Sequence, residues 1–217
     1  MALETLTLRE ATPADAPAVR AIYAPYVTGT AVTFEYGVPS EEEMRRRMER
    51  TLRAYPYVLT ELAGETVGYA YLGPFVGREA YVRCAETSVY VAEDRRGRGI
   101  GRALCTALER IAAAQGIISL EACIAVPDGE EDGYLTFASA RFHGRMGYRE
   151  TGRFEKCGYK FGRWYGMIWM EKTIGVHAAR PAAFVPYPKL GRETLEGAGL
   201  TLSDSDRQRG VPAQMET

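Results

Sequence analysis

The sequence has few of the residues from which metal sites and disulfide frameworks are built. Its four cysteines are widely spaced and form no C-x-x-C pair, and it contains only two histidines. Because no convincing zinc ligand set can be assembled from these residues, we predict that the protein binds no metal. The cysteines are expected to be reduced thiols in a cytoplasmic protein.

The chain also lacks a charge bias and long apolar segments. It carries 27 Lys and Arg against 28 Asp and Glu, whereas proteins that bind nucleic acid usually show a basic excess. No apolar run approaches the roughly 20 residues that span a bilayer. The start, Met1-Ala2-Leu3-Glu4, has no basic region leading into an apolar stretch, as a secretory signal would have. We therefore predict no nucleic-acid partner, no membrane association and a cytoplasmic location.

Hydrophobic periodicity divides most of the chain into alternating strands and helices. It predicts the order β-α-α-β-β-β-α-β-α-β-β, which is typical of a mixed α/β layer built around one sheet. Pro25 is expected to end or distort the first helix. The arginine run Arg45–Arg47 in the second helix is interpreted as a solvated face. A strand is predicted from about Tyr81 to Val91, and a late amphipathic helix from about Leu135 to Met146.

The C-terminal part differs in character from the rest. Several prolines interrupt residues 175–217, which show little periodicity, and residues 203–217 are polar and expected to be disordered. Residues 182–190 are apolar enough to dock on the body of the protein or on a neighbouring subunit. We therefore divide the chain into a domain over residues 1–174 and a proline-containing tail over residues 175–217.

The most informative segment is a glycine- and arginine-rich turn between a predicted strand and helix. Arg95-Arg96-Gly97-Arg98-Gly99-Ile100-Gly101 follows the strand end Val89-Tyr90-Val91. Glycines at alternate positions leave backbone N–H groups uncovered, and a helix N-terminus carries about half a positive charge. The turn therefore predicts a phosphate or pyrophosphate site, to which the arginines can add charge-assisted hydrogen bonds. A simpler interpretation is that the glycines only permit a tight turn.

Two common phosphate-binding motifs do not fit this turn. It lacks the Gly-Lys-Ser/Thr of a P-loop, and it is not a G-x-G-x-x-G motif opening an N-terminal βαβ unit. The turn does match R/Q-x-x-G-x-G/A and resembles the pyrophosphate loop of the GNAT acetyltransferases. It comes after the fourth predicted strand, where that family has its loop.

The resemblance extends from about Leu6 to Lys172 and points to the branch that includes phosphinothricin and methionine sulfoximine acetyltransferases. Its segments are Thr30–Glu35, Gly73–Phe75 with Arg78 and Tyr81, Ala85–Val91, Ser139–His143 with Met146-Gly147-Tyr148, and Gly158–Trp164. The resemblance implies the GNAT acyl-CoA N-acyltransferase fold, with a central mixed, mostly antiparallel sheet flanked by helices. It also implies acetyl transfer from acetyl-CoA to the primary amine of a small molecule, such as an amino acid or an analogue. Members of this branch are commonly dimers, so a homodimer is expected.

The same resemblance gives roles to particular residues. Glu86 is expected to be the general base that removes a proton from the amine, and His143 to assist it. Partial burial among Val, Tyr and Thr side chains would raise the pKa of Glu86 and suit it to this role. The residues expected to bind the cofactor are Val89, Tyr90, Val91, Arg96, Gly97, Arg98, Gly99, Ile100, Gly101, Arg102, Thr136 and Ser139. Those expected to contact the acceptor are Phe34, Arg78 and Tyr81.

The sequence departs from the family pattern at several positions that bear on the acceptor and the cofactor. Thr136 stands where the family has an asparagine that contacts the cofactor, and Gly166 where it often has aspartate. The loop Val126–Tyr134 is longer than usual and acidic, so a cationic acceptor such as a polyamine or an aminoglycoside rivals an amino-acid analogue. Two further hypotheses are an enzyme that acetylates a protein N-terminus and a non-catalytic module that binds acyl-CoA.

Overall fold

A single sheet organises the chain in the computed structural model, which describes residues 6–203. The strands are β1 (Leu6–Glu10), β2 (Tyr57–Leu62), β3 (Glu65–Pro74), β4 (Cys84–Val91), β5 (Ser119–Pro127), β6 (Arg149–Lys160) and β7 (Arg163–Thr173). The helices are α1 (Ala16–Gly29), α2 (Glu41–Leu52), α3 (Ile100–Gln115), α4 (Ala138–Arg145) and α5 (Arg192–Gly197). The strand order is β1-β2-β3-β4-β5-β7-β6, and only β4 and β5 are parallel neighbours. The predicted fold class, a mostly antiparallel sheet flanked by helices, is confirmed.

Strand β4 lies between the two larger of the three hydrophobic clusters in residues 6–203. Side chains alternate along a strand, so Ala85, Thr87 and Val89 point to one face and Glu86 and Tyr90 to the other. Ala85 belongs to the cluster under α3, and Val89 packs against it. Tyr90 packs against the cluster under α1 and α2, which places Glu86 on that face of the sheet.

The sheet opens between its two parallel strands. Over the described range, β4 and β5 pair only from Cys84 to Glu86, opposite Ser119 to Glu121. Beyond Glu86, β4 continues to Val91 paired with β3 alone, while β5 continues paired with β7. The diverging strands leave a gap in the middle of the sheet, and Glu86 stands where the gap begins.

Two local predictions were wrong in detail, and one of the two alternatives for Pro25 is excluded. Helix α1 does not end at Pro25 but continues to Gly29, because its buried face, including Tyr26 and Val27, holds the helix against the sheet. The fourth strand starts at Cys84 rather than at Tyr81, since residues 79–81 form a short 3-10 turn. Helix α4 starts at Ala138 rather than at residue 135. Its predicted first residues lie in a loop whose backbone N–H groups bond to acidic side chains instead.

The C-terminal tail packs against the body as far as the structure describes it. Leu195 and Leu200 are buried in the cluster under α3, together with Tyr187. The backbone N–H of Thr201 donates to the carbonyl of Leu8 at 2.7 Å, so the tail also meets the outer edge of β1. Residues 204–217 lie outside the described residues, and the prediction of disorder there stays a prediction.

Candidate active site

A cleft of about 500 Å³ lies at the N-terminal end of α3, beside the gap in the sheet. Strand β4, the glycine- and arginine-rich turn and helix α4 form its walls. The residues predicted to bind the cofactor that line it are Val89, Val91, Arg96, Gly97, Gly99, Ile100, Gly101, Arg102, Thr136 and Ser139. Two predicted residues are absent from this lining. They are Arg98 in the turn and Tyr90, whose ring lies on the opposite face among other tyrosines.

The glycines of the turn are required by backbone geometry. Gly97 and Gly99 have φ of +77° and +82°, values that side-chain-bearing residues rarely adopt. Gly99 is the N-cap of α3, so the N–H groups of the first helical turn stay free of intrahelical bonds. A Cβ at Gly101 would lie 3.2 Å from the ring of Phe142, which brings α3 and α4 close together. The turn thus presents open N–H donors and a positive helix end to the cleft.

The cleft is lined by basic side chains, Arg95, Arg96, Arg102 and Arg145, and by no aspartate or glutamate. Arg95 pairs with Glu65 and Arg96 with Glu93, whereas Arg102 and Arg145 form no ion pair within the described residues and give the cleft its positive charge. The guanidinium of Arg96 stacks over the ring of Tyr26, with 4.8 Å between its central carbon and the ring centroid. Such a cleft is suited to an anionic ligand the size of a pyrophosphate group, which the sequence predicted. Sequence reasoning missed Arg145 and Tyr26, because neither lies in a motif and each reaches the cleft only through the packing of its helix.

The free edge of β4 is partly occupied by the protein itself. The hydroxyl of Tyr26 donates to the carbonyl of Val91 at 2.6 Å and lies 3.3 Å from the Val91 nitrogen. Because alternate residues of a strand share an edge, Val89 directs its N–H and carbonyl into the same gap. Val89 therefore offers the strand-like pair of hydrogen-bonding groups that an extended ligand arm needs.

Glu86 is half-buried at the start of the gap. Burial raises its pKa above the ordinary value of 4.5. Burial raises the pKa of the Tyr71 phenol and that of the Cys123 thiol, and the charge of Glu86 on the same face adds to both. A carboxylate with a raised pKa is a stronger base than an ordinary one, which suits it to accept a proton from a substrate.

His143 is buried on α4 and does not contact Glu86. Its Nδ1 lies 2.9 Å from the carbonyl of Ser139, so Nδ1 carries the proton, and burial lowers its pKa and keeps the ring neutral. Its Nε2 has no hydrogen-bond partner among the described residues. The ring packs edge-on against Tyr148, whose hydroxyl lies 3.4 Å from the hydroxyl of Thr87. Because Thr87 and Glu86 point to opposite faces of β4, His143 and the Glu86 side chain lie on opposite faces of the sheet.

The predicted acceptor-side loop is anchored by the hairpin of β6 and β7. Lys160 Nζ donates to the carbonyls of Thr30 and Thr33, each at 2.8 Å. The ring of Phe34 lies so close to Gly158 that a Cβ there would meet it at 2.4 Å. The glycine and lysine of the Gly158–Trp164 segment therefore hold Phe34 and its loop in place.

The other two predicted acceptor residues lie on the connection between β3 and β4. Arg78 and Tyr81 are both exposed, and Arg78 forms no ion pair within the described residues. Tyr81 packs edge-on against Phe75, which in turn packs against Trp169 of β7. The connection thus lies over the same sheet face as Glu86.

Most carboxylates of the acidic loop are already paired. Asp132 accepts hydrogen bonds from the backbone of Tyr134 and Leu135 and forms an ion pair with Arg163 at 3.1 Å. The remaining ion pairs join Glu131 to Arg141 and Asp128 to Lys156. Because these charges are neutralised locally, the loop gives little support to a cationic acceptor.

The fold and the cleft define the class of protein. A mostly antiparallel sheet that opens beside a glycine- and arginine-rich turn at a helix N-terminus resembles the architecture of acyltransferases that use an acyl-CoA donor. Residues 8–169 match the family model described as an acetyltransferase (GNAT) domain. The chain belongs to the GNAT family and is an acetyl-CoA-dependent N-acetyltransferase.

Several relatives share most of the chain. A phosphinothricin N-acetyltransferase of Alcaligenes faecalis is 37% identical over 170 residues, which cover 77% of this chain and 82% of the relative. An L-methionine sulfoximine/L-methionine sulfone acetyltransferase of Pseudomonas aeruginosa is 34% identical over 81% of this chain and 98% of its own length. The crystal structure of a phosphinothricin acetyltransferase from Sinorhizobium meliloti with acetyl-CoA superposes with a TM-score of 0.74. It is 32% identical and covers 82% of this chain and 94% of that one.

Neither a membrane-spanning helix nor a metal-ligand cluster occurs in the described part of the chain. Between residues 6 and 203, no helix is long and apolar enough to cross a membrane. In the same range, no three or more His, Cys, Asp and Glu side chains are grouped as a metal site requires.

Proposed function

We propose that the enzyme acetylates the primary amine of an amino acid or an amino-acid analogue, with Glu86 as the general base. The observation that carries this proposal is the position of Glu86, a half-buried carboxylate where β4 and β5 separate. Glu86 lies on the sheet face that the β3–β4 connection covers. The gap between β4 and β5 leads from Glu86 to the cleft that is lined by arginines. The relatives named for phosphinothricin and methionine sulfoximine support an amino-acid type of acceptor.

The cleft residues would hold the donor. The free N–H groups at the start of α3, with Arg96, Arg102 and Arg145, suit the pyrophosphate of acetyl-CoA. The N–H and carbonyl of Val89 suit the pantetheine arm, which would bind like an added strand. Thr136 lines the cleft where the family has asparagine, and its hydroxyl can supply a hydrogen bond in its place.

Attack of the amine on the thioester would be direct. An amine is mostly protonated at neutral pH, so Glu86 would first take its proton, directly or through a water molecule. The nitrogen lone pair then attacks the thioester carbonyl, and the thiol of CoA leaves. Cys84 and Cys123, on the sheet face of Glu86, are poor nucleophiles, since burial raises the pKa of Cys84 and brings that of Cys123 to about 11. A covalent acyl-enzyme is therefore not needed.

His143 would assist from the other side of the strand. Its neutral ring presents Nε2 as an acceptor, and the neighbouring residues of α4, Ser139 and Phe142, line the cleft. Because His143 does not contact Glu86 and its Nε2 is buried, its help would be indirect. On the acceptor side, Phe34 and Tyr81 would enclose the substrate, and Arg78 would pair with its carboxylate.

We also propose that the enzyme is a cytoplasmic homodimer. Three large aromatic side chains are exposed on the β6–β7 hairpin, namely Phe154, Tyr159 and Trp164, and such a patch is suited to a subunit interface. All four cysteines are free, which fits a reducing compartment. Sedimentation equilibrium of the wild type and of Trp164→Ser would test the dimer, which should weaken in the variant.

The reaction is tested by acetyl-CoA-dependent thiol release with a panel of amines. The panel contains methionine sulfoximine, phosphinothricin, free amino acids, polyamines and aminoglycosides. We expect turnover of amino-acid-type acceptors and little turnover of the polycations. No release with any amine, while CoA still binds, would contradict the proposal and favour a non-catalytic acyl-CoA-binding module or a macromolecular acceptor.

A further inference from the structure

A second cavity, of about 350 Å³, lies between α2 and the sheet on the same face as Glu86. Neighbouring tyrosines from three strands form its floor: Tyr57 of β2, Tyr69 and Tyr71 of β3, and Tyr90 of β4. Their rings stack side by side, with 4.9 Å between the centroids of Tyr57 and Tyr71 and 5.2 Å between those of Tyr69 and Tyr90. We call this space the tyrosine cavity.

Two hydroxyl groups of the floor have no protein partner. The side chains of Tyr57 and Tyr69 are only 3% and 2% exposed, and neither hydroxyl forms a hydrogen bond within the described residues, yet neither hydroxyl oxygen is fully enclosed by protein. Tyr71 lies opposite Ser88 of β4 in the strand register. The hydroxyls of Tyr57 and Tyr69 therefore face the space of the cavity, where water or a ligand group can form hydrogen bonds with them. Burial raises the pKa of both phenols well above 10, so each stays a neutral group that can donate and accept.

The charges around the cavity cancel. Arg47 forms ion pairs with Glu35 at 2.6 Å and with Glu43 at 3.0 Å, and Arg50 adds a second cation at the rim. Two arginines therefore face two glutamates. A charged ligand group of either sign would therefore lie near a side chain of the same charge, which repels it. An uncharged group meets no such repulsion. The prediction that the arginine run of α2 forms a solvated face was wrong for Arg47, which is half-buried and lines the tyrosine cavity.

The cavity adjoins the proposed acceptor position. Glu35, on its wall, belongs to the loop that Phe34 and Lys160 hold in place. Tyr71, on its floor, lies opposite Ser88 in the pairing of β3 with β4. Glu86 and Ser88 are two residues apart on one strand face, a separation of about 7 Å. An amine beside Glu86 can therefore carry a short side chain into the cavity.

We propose that the tyrosine cavity receives the side chain of the acceptor and selects an uncharged group that both donates and accepts hydrogen bonds, such as a carboxamide. This proposal rests on the proposed function and names its acceptor class. The hydroxyls of Tyr57 and Tyr69 are the specificity-determining groups. An apolar side chain of equal length leaves them unpaired, and a charged one meets Glu35 and Glu43 or Arg47 and Arg50.

The test compares four amino acids that share the α-amine and α-carboxylate but differ at the end of the side chain. They are L-glutamine, L-glutamate, L-ornithine and L-norvaline. We expect kcat/KM for glutamine to exceed that for norvaline by about tenfold, as loss of one or two neutral hydrogen bonds predicts. The variants Tyr57→Phe and Tyr69→Phe should each raise the KM for glutamine several-fold and should leave the KM for norvaline equal or lower, because its apolar end no longer leaves that hydroxyl unpaired.

The control variant is Tyr55→Phe, which removes a hydroxyl outside the cavity. Tyr55 packs against Phe184, on the other side of the sheet from the tyrosine cavity, and should leave all four acceptors unaffected. The proposal is overturned if glutamine has no advantage over norvaline, or if Tyr57→Phe and Tyr69→Phe slow both acceptors equally. Thermal unfolding of each variant shows whether it folds like the wild type.

A binding experiment separates this proposal from the proposed function. L-glutamine is titrated calorimetrically into the CoA-bound protein and into the Tyr57→Phe/Tyr69→Phe double variant. If no amine is acetylated but glutamine binds, and binds at least about tenfold more weakly to the double variant, the cavity proposal stands while the proposed function fails. If amines are acetylated but glutamine binding does not depend on the two hydroxyls, only the cavity proposal fails.

Discussion

Replacing Leu195 by alanine tests whether the C-terminal tail is part of the folded domain. The Leu195 side chain is fully buried, at 0% exposure, in the cluster that also contains Tyr187, Leu200 and the inner face of α3. A buried Leu→Ala change typically costs about 2–5 kcal/mol, the sum of lost burial and the cavity left behind. We expect the free energy of unfolding to fall by about 3 kcal/mol, which lies within that range.

The assay is thermal unfolding by calorimetry. For a chain of 217 residues, each kcal/mol shifts the melting temperature by about 2–4 °C, so Leu195→Ala should melt about 6–12 °C lower. Leu6→Ala is the matched control, because Leu6 is 36% exposed at the edge of the sheet and its loss should cost under about 1 kcal/mol. No described tail residue lines the cleft or the tyrosine cavity, so acetyl transfer at 25 °C should be unchanged.

Equal melting temperatures for Leu195→Ala, Leu6→Ala and the wild type would refute this reasoning. The tail would then be detached in solution, and the cluster under α3 would be complete without it. A large loss of activity at 25 °C, with the fold intact, would refute the separate claim that the tail does not act on the site.

Two glycine substitutions test the site itself. Gly99→Ala forces a side chain onto a residue with φ of +82° at the N-cap of α3, so we expect the KM for acetyl-CoA to rise about tenfold, checked by initial-rate kinetics. Gly158→Ala places a methyl group 2.4 Å from the Phe34 ring and should raise the KM for the acceptor more than that for acetyl-CoA. Its control is Gly152→Ala, where nothing lies within 4 Å of the added carbon, and equal kinetics of these two variants would contradict the role given to Phe34.

Local sequence signals predicted the elements whose conformation depends on a few neighbouring residues. The turn from Arg96 to Gly101 could be recognised because glycine alone tolerates the backbone angles at residues 97 and 99. Helix α3 ends at Gly116, with φ of +80°, for the same reason. The order of strands and helices along the chain followed from the periodicity of apolar residues.

Features that depend on tertiary packing could not be predicted in this way. Pro25 removes one helical hydrogen bond, but the buried face of α1 outweighs that loss, and the amount buried is not visible in the sequence. Arg47 was taken for a solvated residue, since its partner Glu35 lies in a preceding loop whose fold sets the distance. The tyrosine cavity was missed because its floor assembles from three strands.

The central claim is that Glu86 takes the proton of the acceptor amine, and its most direct test is the pH dependence of kcat/KM. Burial raises the pKa of Glu86 above 4.5, and the residue acts as a base only when ionised. The rate should therefore rise as pH increases through that raised pKa. Deprotonation of the acceptor's own ammonium group should cause a further rise in kcat/KM at higher pH, and this second rise should persist in every variant.

The measurement compares the wild type with Glu86→Gln and with Glu121→Gln. Glu121 is the needed control, because it pairs with Glu86 across the two parallel strands and burial raises its pKa to about 7. We expect Glu86→Gln to lose the rise in kcat/KM at lower pH and to be at least about tenfold slower than the wild type. Glu121→Gln should keep that rise and the wild-type rate. A wild-type rate and an unchanged pH profile in Glu86→Gln would contradict the account.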